Sequence, residues 1–325
     1  MKNINPIRLP GLKPGVYPGL ILSGALYPDL KIGVWRRERI KSLFVLIMII
    51  AVWIPAGCSD VRFDGQRALR DVEAQLKLGP RTIGSEAHAK AVDWMVAGLK
   101  SSGWAVEVQE TPRGGAKIRN VVARRGEGRP WIILGAHFDS RFRADQDPDP
   151  RKRTLPVQGA NDGASGVAVL MELARTIPKD LKKQVCLVFL DAEDNGEIEG
   201  WDWILGSEAY AARLTGKPDA VVIIDMIGDA DLNIYRELYS DSGLTDEIWG
   251  TAARLKIPQF INEPKYRITD DHLPFLARGI RAADIIDFDY PYWHTAADTL
   301  DKVSAASLQA VGDVLLAWLT AATAK

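Results

Sequence analysis

The chain predicts an α/β fold in which helices cover a sheet on both faces, and three observations carry that expectation. Apolar periodicity switches repeatedly between helix and strand spacing from Asp60 onward. The runs WIILGA (131–136), VCLVFLD (185–191) and AVVIID (220–225) are continuously apolar rather than alternating, as central strands buried on both sides are. Each run also ends on or beside a histidine or an acid, which puts chemistry at the carboxyl ends of strands.

Helix spacing opens over 61–78, where Leu69, Val72 and Leu76 share a face, and returns over 86–102 through Ala91, Met95 and Leu99. Strand spacing follows over 104–110 and 117–124, and the first continuous run fills 130–136. The stretch 163–177 is helical after the glycine-rich GANDGASG, and the second continuous run occupies 184–191. A helix over 202–214 leads to the third run at 220–226. Helix spacing resumes over 244–256 through Leu244, Ile248 and Ala252, a strand is expected at 281–287, and a closing helix over 303–323 carries Leu308, Val311, Leu315 and Trp318. The loop 141–158, RFRADQDPDPRKRTLPVQ, is polar and broken by proline; it could border the crevice, but its charges read as a solvated face and no role is assigned to it.

At 325 residues, 47% hydrophobic and 26% charged, the chain is long enough to close one α/β core, assigned to residues 59–325. Lys plus Arg number 41 against 42 Asp plus Glu, a formal charge of −1, so nothing electrostatic recommends nucleic acid as a partner.

The N-terminus reads separately. Residues 1–35, rich in Pro and Gly, are expected to be disordered or to follow from a start codon set too early. Residues 36–58 have the order of a bacterial export signal: the basic cluster Arg36, Arg37, Arg39 and Lys41, the apolar run Leu43 to Gly57, then Ala56-Gly57-Cys58. Small residues before a cysteine are expected to make Cys58 the lipid-bearing first residue of a mature lipoprotein, although Pro55 stands where such sites usually carry leucine. An uncleaved anchor is the alternative, but the apolar run is shorter than the roughly 20 residues that cross a bilayer core comfortably. Either way the domain is expected to be exported and membrane-anchored, on the periplasmic or cell-surface side. Cys186, inside QVCLVFL, reads as a buried small hydrophobe.

Of four histidines, His137 and His294 stand at the ends of a series of acid-terminated segments: GAHFDS with Asp139, GANDGASG with Asp162, LDAED with Glu193 and Asp194, IIDMIGD with Asp225, and WHTAADT. Neutral ring nitrogen and ionised oxygen are the donors that zinc accepts. In parallel sheets the ligand crevice lies outside the carboxyl ends of the strands, so these segments can converge. Asp162, Asp194 and Asp225 gathered there repel one another without a cation, and a divalent ion holds them ionised. Taken alone, Asp162 in Asn-Asp-Gly also reads as a helix cap. Asp139 is placed to orient the His137 imidazole from behind, as partners of metal-bound histidines do, or to cap a turn. His88 reads as a surface residue of its helix.

The ordered set GAHFDS, GANDGASG, LDAED, DMIGD and WHTAADTLDK resembles the superfamily of zinc aminopeptidases and animal-type glutaminyl cyclases over nearly all of residues 75–325. The resemblance implies a three-layer α/β sandwich with a central mixed, mostly parallel sheet flanked by helices. It implies that Asp162, Asp194 and His294 hold one zinc ion and that His137 and Asp225, with Asp162 as bridge, hold a second where two are bound. Glu193 corresponds to the general base. Asp194 departs from the superfamily's usual glutamate, so ligand distance must be recovered by backbone position.

The segment YRITDDHLPFLARGI is nearer the cyclase branch: Asp270 matches a carboxylate beside the substrate, and Trp293 matches a wall of the pocket. Trp201 reads as a second wall or as a packed tryptophan. His272 reads as a structural hydrogen-bonding partner near Asp270, not as a zinc ligand. The implied function is zinc-dependent conversion of N-terminal glutamine of peptides or proteins to pyroglutamate with release of ammonia. The alternatives are a dinuclear zinc aminopeptidase, which the full five-ligand set suits, and a catalytically silent binding ectodomain, whose sign would be lost ligands.

Overall fold

A computed structural model describes residues 62–198 and 200–321. Residues 36–58, expected to be an export signal ending on Cys58, and residues 1–35 lie outside the described residues. Among the described residues, no helix is long and apolar enough to cross a membrane.

In chain order the elements are α1 (Gly65–Leu78), α2 (Glu86–Ser101), β1 (Ala105–Arg113), β2 (Ala116–Arg125), β3 (Trp131–His137), α3 (Ala164–Thr176), β4 (Gln184–Leu190), α4 (Leu205–Arg213), β5 (Ala220–Asp225), β6 (Ile234–Arg236), α5 (Ser242–Leu255), β7 (Phe260–Pro264), α6 (Leu273–Ala277), β8 (Ala282–Ile286) and α7 (Ala305–Ala321). Six strands form one sheet in the order β1-β2-β4-β3-β5-β8. The pairings β4-β3, β3-β5 and β5-β8 are parallel, and β1-β2 and β2-β4 are antiparallel. The sheet is therefore mixed with a parallel heart.

The continuous apolar runs are explained by two cores. Ile132, Leu134 and Ala136 of β3, with Val185, Leu187 and Phe189 of β4, point into a large core shared with α1, α2, α3, α5 and α7. Their neighbours Ile133, Cys186, Val188 and Leu190 point the other way, into a second core with Tyr210 of α4 and Phe275 of α6. Period-two alternation persists, but both faces are dry, so no polar residue marks it. Helices on each side of one sheet make three layers, as the sequence predicts.

Three short elements went unpredicted. β6 and β7 pair in a separate two-stranded parallel sheet, and α6 is a five-residue helix with a proline in its first turn. Elements of three to five residues span too little of either period to register.

His88 is buried, not superficial: its Nε2 lies 2.9 Å from Asp191 Oδ1 and its ring stacks on Phe138. Asp191 also accepts from the Arg119 and Ala192 amides, at 2.6 and 2.9 Å, and so ties α2 and β2 to the turn that follows β4. A single histidine in an amphipathic stretch gives no sign of so distant a partner.

Candidate metal centre

The carboxyl ends of β3, β4 and β5 deliver the predicted side chains to one crevice. His137 is the last residue of β3 and Asp225 the last of β5. Glu193 and Asp194 leave β4 through Ala192, whose backbone sits in the left-handed region at φ 58°. Met226 after Asp225 (φ 46°) and His294 itself (φ 54°) share that conformation, which non-glycine residues adopt only where surrounding structure holds them. The chain is bent sharply beside three of the converging residues.

Asp162 stands just before α3, but the helix has no side-chain cap, so its carboxylate is free of capping duty. Gly163 makes this possible: at φ 89°, an added Cβ would meet the Asp139 carbonyl at 2.8 Å and His137 Cε1 at 3.1 Å. Asn161 ties the same turn to the β5 end, accepting from the Gly228 amide (2.7 Å) and donating to the Met226 carbonyl (3.2 Å).

Two trios result. His137 Nε2 lies 3.0 Å from Asp225 Oδ1 and 3.1 Å from Asp162 Oδ1. His294 Nε2 lies 2.7 Å from Asp194 Oδ1 and 3.7 Å from Asp162 Oδ2. Asp162 thus turns one oxygen to each imidazole and is common to both groups. All five residues are buried, and Asp162 Oδ2 and Asp194 Oδ2 have no hydrogen-bond partner among the described residues.

Burial raises the Asp194 carboxyl to about 6 and the Asp225 carboxyl to about 7, with Asp162 adding to both. Burial works the same way on Asp162, but hydrogen bonding and charge from His137 outweigh it and hold that carboxyl below its usual range. Burial works to lower the His137 imidazole, but Asp225, Asp139 and Asp162 outweigh it and raise it well above its ordinary value. Buried carboxylates with orphaned oxygens facing imidazoles are what a borderline divalent cation satisfies, and the donor set of each trio suits zinc. Asp270, His272 and Asp284 form a third buried group of ligand-type side chains.

The supports are mostly residues that the sequence reading did not single out. Asp139 faces His137 Nδ1 at 3.6 Å, and it also accepts from the Glu193 and Asp194 amides and Asn195 Nδ2 at 3.1–3.3 Å, fixing the turn that carries both acids. Asp298, in WHTAADT, accepts from the Asn161 and Asp162 amides and from the Tyr290 hydroxyl at 2.7–3.2 Å. Buried Arg81 donates to the carbonyls of Phe138, Gln158 and Gly159.

The loop 141–158 is not simply solvated, which corrects the expectation that it plays no part. Arg141 is buried, donates to the Asp194 carbonyl at 2.9 Å, pairs with Asp145 at 2.7 Å and lies over the Trp203 ring. The Gln146 amide donates to the His294 carbonyl, and Asp147 accepts from the Ala296 amide. The loop locks the two halves of the Asp194 and His294 pair, a role that charge-rich composition conceals.

A cavity of about 210 Å³ opens over the trios, with Glu193 in its lining. Glu193 is buried, and desolvation first, then Asp270 and Asp194, push its carboxyl well above the usual range despite His137. Asp270 is buried, and its Oδ2 has no partner among the described residues. His272 joins neither trio. It faces Glu237 at 3.2 Å and Asp284 at 3.9 Å.

The walls are aromatic. Trp293 lies on the His294 ring with centroids 3.7 Å apart, and Phe288 backs it at 5.3 Å. Trp201, the expected second wall, packs instead on Phe142 beside Ile83, Ile118 and Leu205 and does not line the cavity. Trp203 takes that place, parallel to His294 at 5.9 Å. Two tryptophans two residues apart in a loop offer no periodicity from which to choose between them.

Residues 120–319 match peptidase family M28. A glutaminyl cyclase of Porphyromonas gingivalis is 34% identical, with a TM-score of 0.75 over 79% of this chain and 98% of that one. A zinc-dependent exopeptidase of Parabacteroides distasonis is 31% identical, with a TM-score of 0.75 over 80% of this chain and 98% of that one. The bovine glutaminyl-peptide cyclotransferase-like protein is 24% identical over 282 residues, 74% of this chain and 71% of its own length. The zinc dependence of the exopeptidase accords with the donor sets of the two trios. With the family matched over most of its length and the sheet delivering these donors to one crevice, the chain belongs to peptidase family M28 and is an enzyme.

Proposed function

We propose that this protein is a zinc-dependent glutaminyl-peptide cyclotransferase, converting an N-terminal glutamine to pyroglutamate with release of ammonia. The observation that carries the reading is the aromatic enclosure: Trp203 and Trp293 stack on His294, Phe288 backs Trp293, and Glu193 lines the same cavity. Intramolecular attack by an amine requires a folded-back substrate and exclusion of water, and indole walls supply both. The cyclases among the relatives support the same reading.

Asp162, Asp194 and His294 would hold one zinc ion, which when bound supplies Lewis acidity to the γ-carboxamide oxygen. Glu193 accepts a proton from the α-amine as its nitrogen bonds to the γ-carbonyl carbon, and returns it to the departing nitrogen so that ammonia leaves as the C–N bond breaks. A carboxyl held above its usual range is suited to carrying a proton in both directions. Asp270 adds negative charge beside Glu193 and favours its protonated form.

The complete second trio, His137, Asp162 and Asp225, favours a second reading, a dinuclear aminopeptidase. One experiment separates the two. The zinc-loaded protein is expected to turn Gln-initiated peptides into pyroglutamyl peptides with one equivalent of zinc bound. Release of free amino acids from Leu-initiated peptides, with two equivalents bound, would reverse the assignment.

A further inference from the structure

We propose that Arg267 selects, among peptides beginning with glutamine, those carrying an acidic side chain immediately after it. The inference rests on the cyclase reading for the identity of the first residue, and on the cavity mouth for the second. Among the charged residues lining the cavity, Asp162, Glu193, Asp194, Asp225 and His294 are buried, whereas Arg267 is exposed. The negative charge therefore lies at the floor, and Arg267 stands at the rim.

Neighbouring cations are committed elsewhere. Lys265 pairs with Asp289 at 2.6 Å and Arg236 with Asp246 at 2.6 Å. Arg267 has no ion pair or hydrogen bond among the described residues. Its backbone position is nonetheless set on both sides: the Leu238 amide donates to the Tyr266 carbonyl at 2.8 Å, and the Ile268 amide donates to Glu237 Oε1 at 3.1 Å. An unpaired guanidinium is thus presented from anchored backbone at the rim of the cavity.

A glutamine seated with its amine and carboxamide at the floor sends the rest of the peptide out past this rim, so the next side chain passes Arg267. A planar guanidinium matches a carboxylate in two-pronged geometry and repels a lysine. An exposed pair of this kind supports a preference of about two- to fivefold, weakened by salt.

The test compares kcat/KM for C-terminally blocked Gln-Glu, Gln-Ala and Gln-Lys peptides on the zinc-loaded protein at low and high ionic strength. The expected order is Glu over Ala over Lys, with the spread collapsing at high salt. Arg267→Gln is expected to level the three and Arg267→Glu to invert them. Because ratios are read, a general loss of activity in a variant does not imitate the effect. An unchanged order in Arg267→Glu, or no preference in the parent, overturns the proposal. If the protein hydrolyses these peptides instead of cyclising them, the cyclase reading fails, while the same ratios still decide the role of Arg267.

Discussion

Glu193 and Asp194 are adjacent yet face different tasks, and the difference lies in what surrounds each. The Asp194 carboxylate meets His294 at 2.7 Å, and its carbonyl is gripped by Arg141 at 2.9 Å. These contacts and the Asp139 bond to its amide set the backbone position that the shorter aspartate needs. Glu193 has its own amide held by Asp139, but its carboxylate is turned to the cavity among Asp270 and His137. Glu193→Gln keeps the shape and removes the proton acceptor. It is expected to lower turnover by at least about 10²-fold while zinc content stays that of the parent, checked by single-turnover assay and metal analysis on one preparation. Undiminished turnover would remove Glu193 from the proton path. The nature of these donors was legible in the sequence, because an acid at the end of an apolar run is a local pattern. The choice of Trp203 over Trp201 was not, because it depends on which ring a distant histidine meets.

Among the elements, the strands position the ligands and the turns aim them. Glu237 follows β6 and accepts from the Tyr239, Ser240 and Ile268 amides at 2.8–3.1 Å, so it pins the rim segment that precedes Asp270. Burial works to raise its carboxyl, but His272 and these amides prevail and hold it at about 2 against an ordinary 4.5. A depressed carboxyl contributes stability fully above its unfolded value and loses it as pH falls toward the folded one. Metal-free Glu237→Gln is therefore expected to melt below the parent at pH above 4.5, with the gap closing as pH drops toward about 2. Thermal melts across that window check this, and a gap independent of pH would show that charge on Glu237 contributes nothing. The continuous runs of β3, β4 and β5 were readable since burial on both faces leaves an unbroken apolar string. β6, β7 and α6 were not, because their pairing partners and not their own residues stabilise such short segments.

For the whole molecule, the buried acids are expected to tie folding to metal. Asp162, Asp194 and Asp225 are buried together, and without a counter-cation their mutual repulsion and desolvation act against the folded state. Chelation is expected to lower Tm and zinc to restore it, by about 5–10 °C at a zinc concentration roughly a hundred times its Kd, measured by calorimetry. A Tm indifferent to chelator and zinc would exclude these residues as a metal site.

The sequence by itself determined the layered α/β class, the central strands and the chemistry of the donors, since burial on two faces and acid-terminated strands are written in neighbouring residues. Only the tertiary structure decided that Asp139, Asp298 and Arg141 hold the turns, that His88 is buried on Asp191, and that Arg267 stands at the rim without a partner among the described residues. Those outcomes depend on which loops meet across the sheet, and contacts between residues separated by tens to hundreds of positions follow from the order of the strands, not from any local spacing.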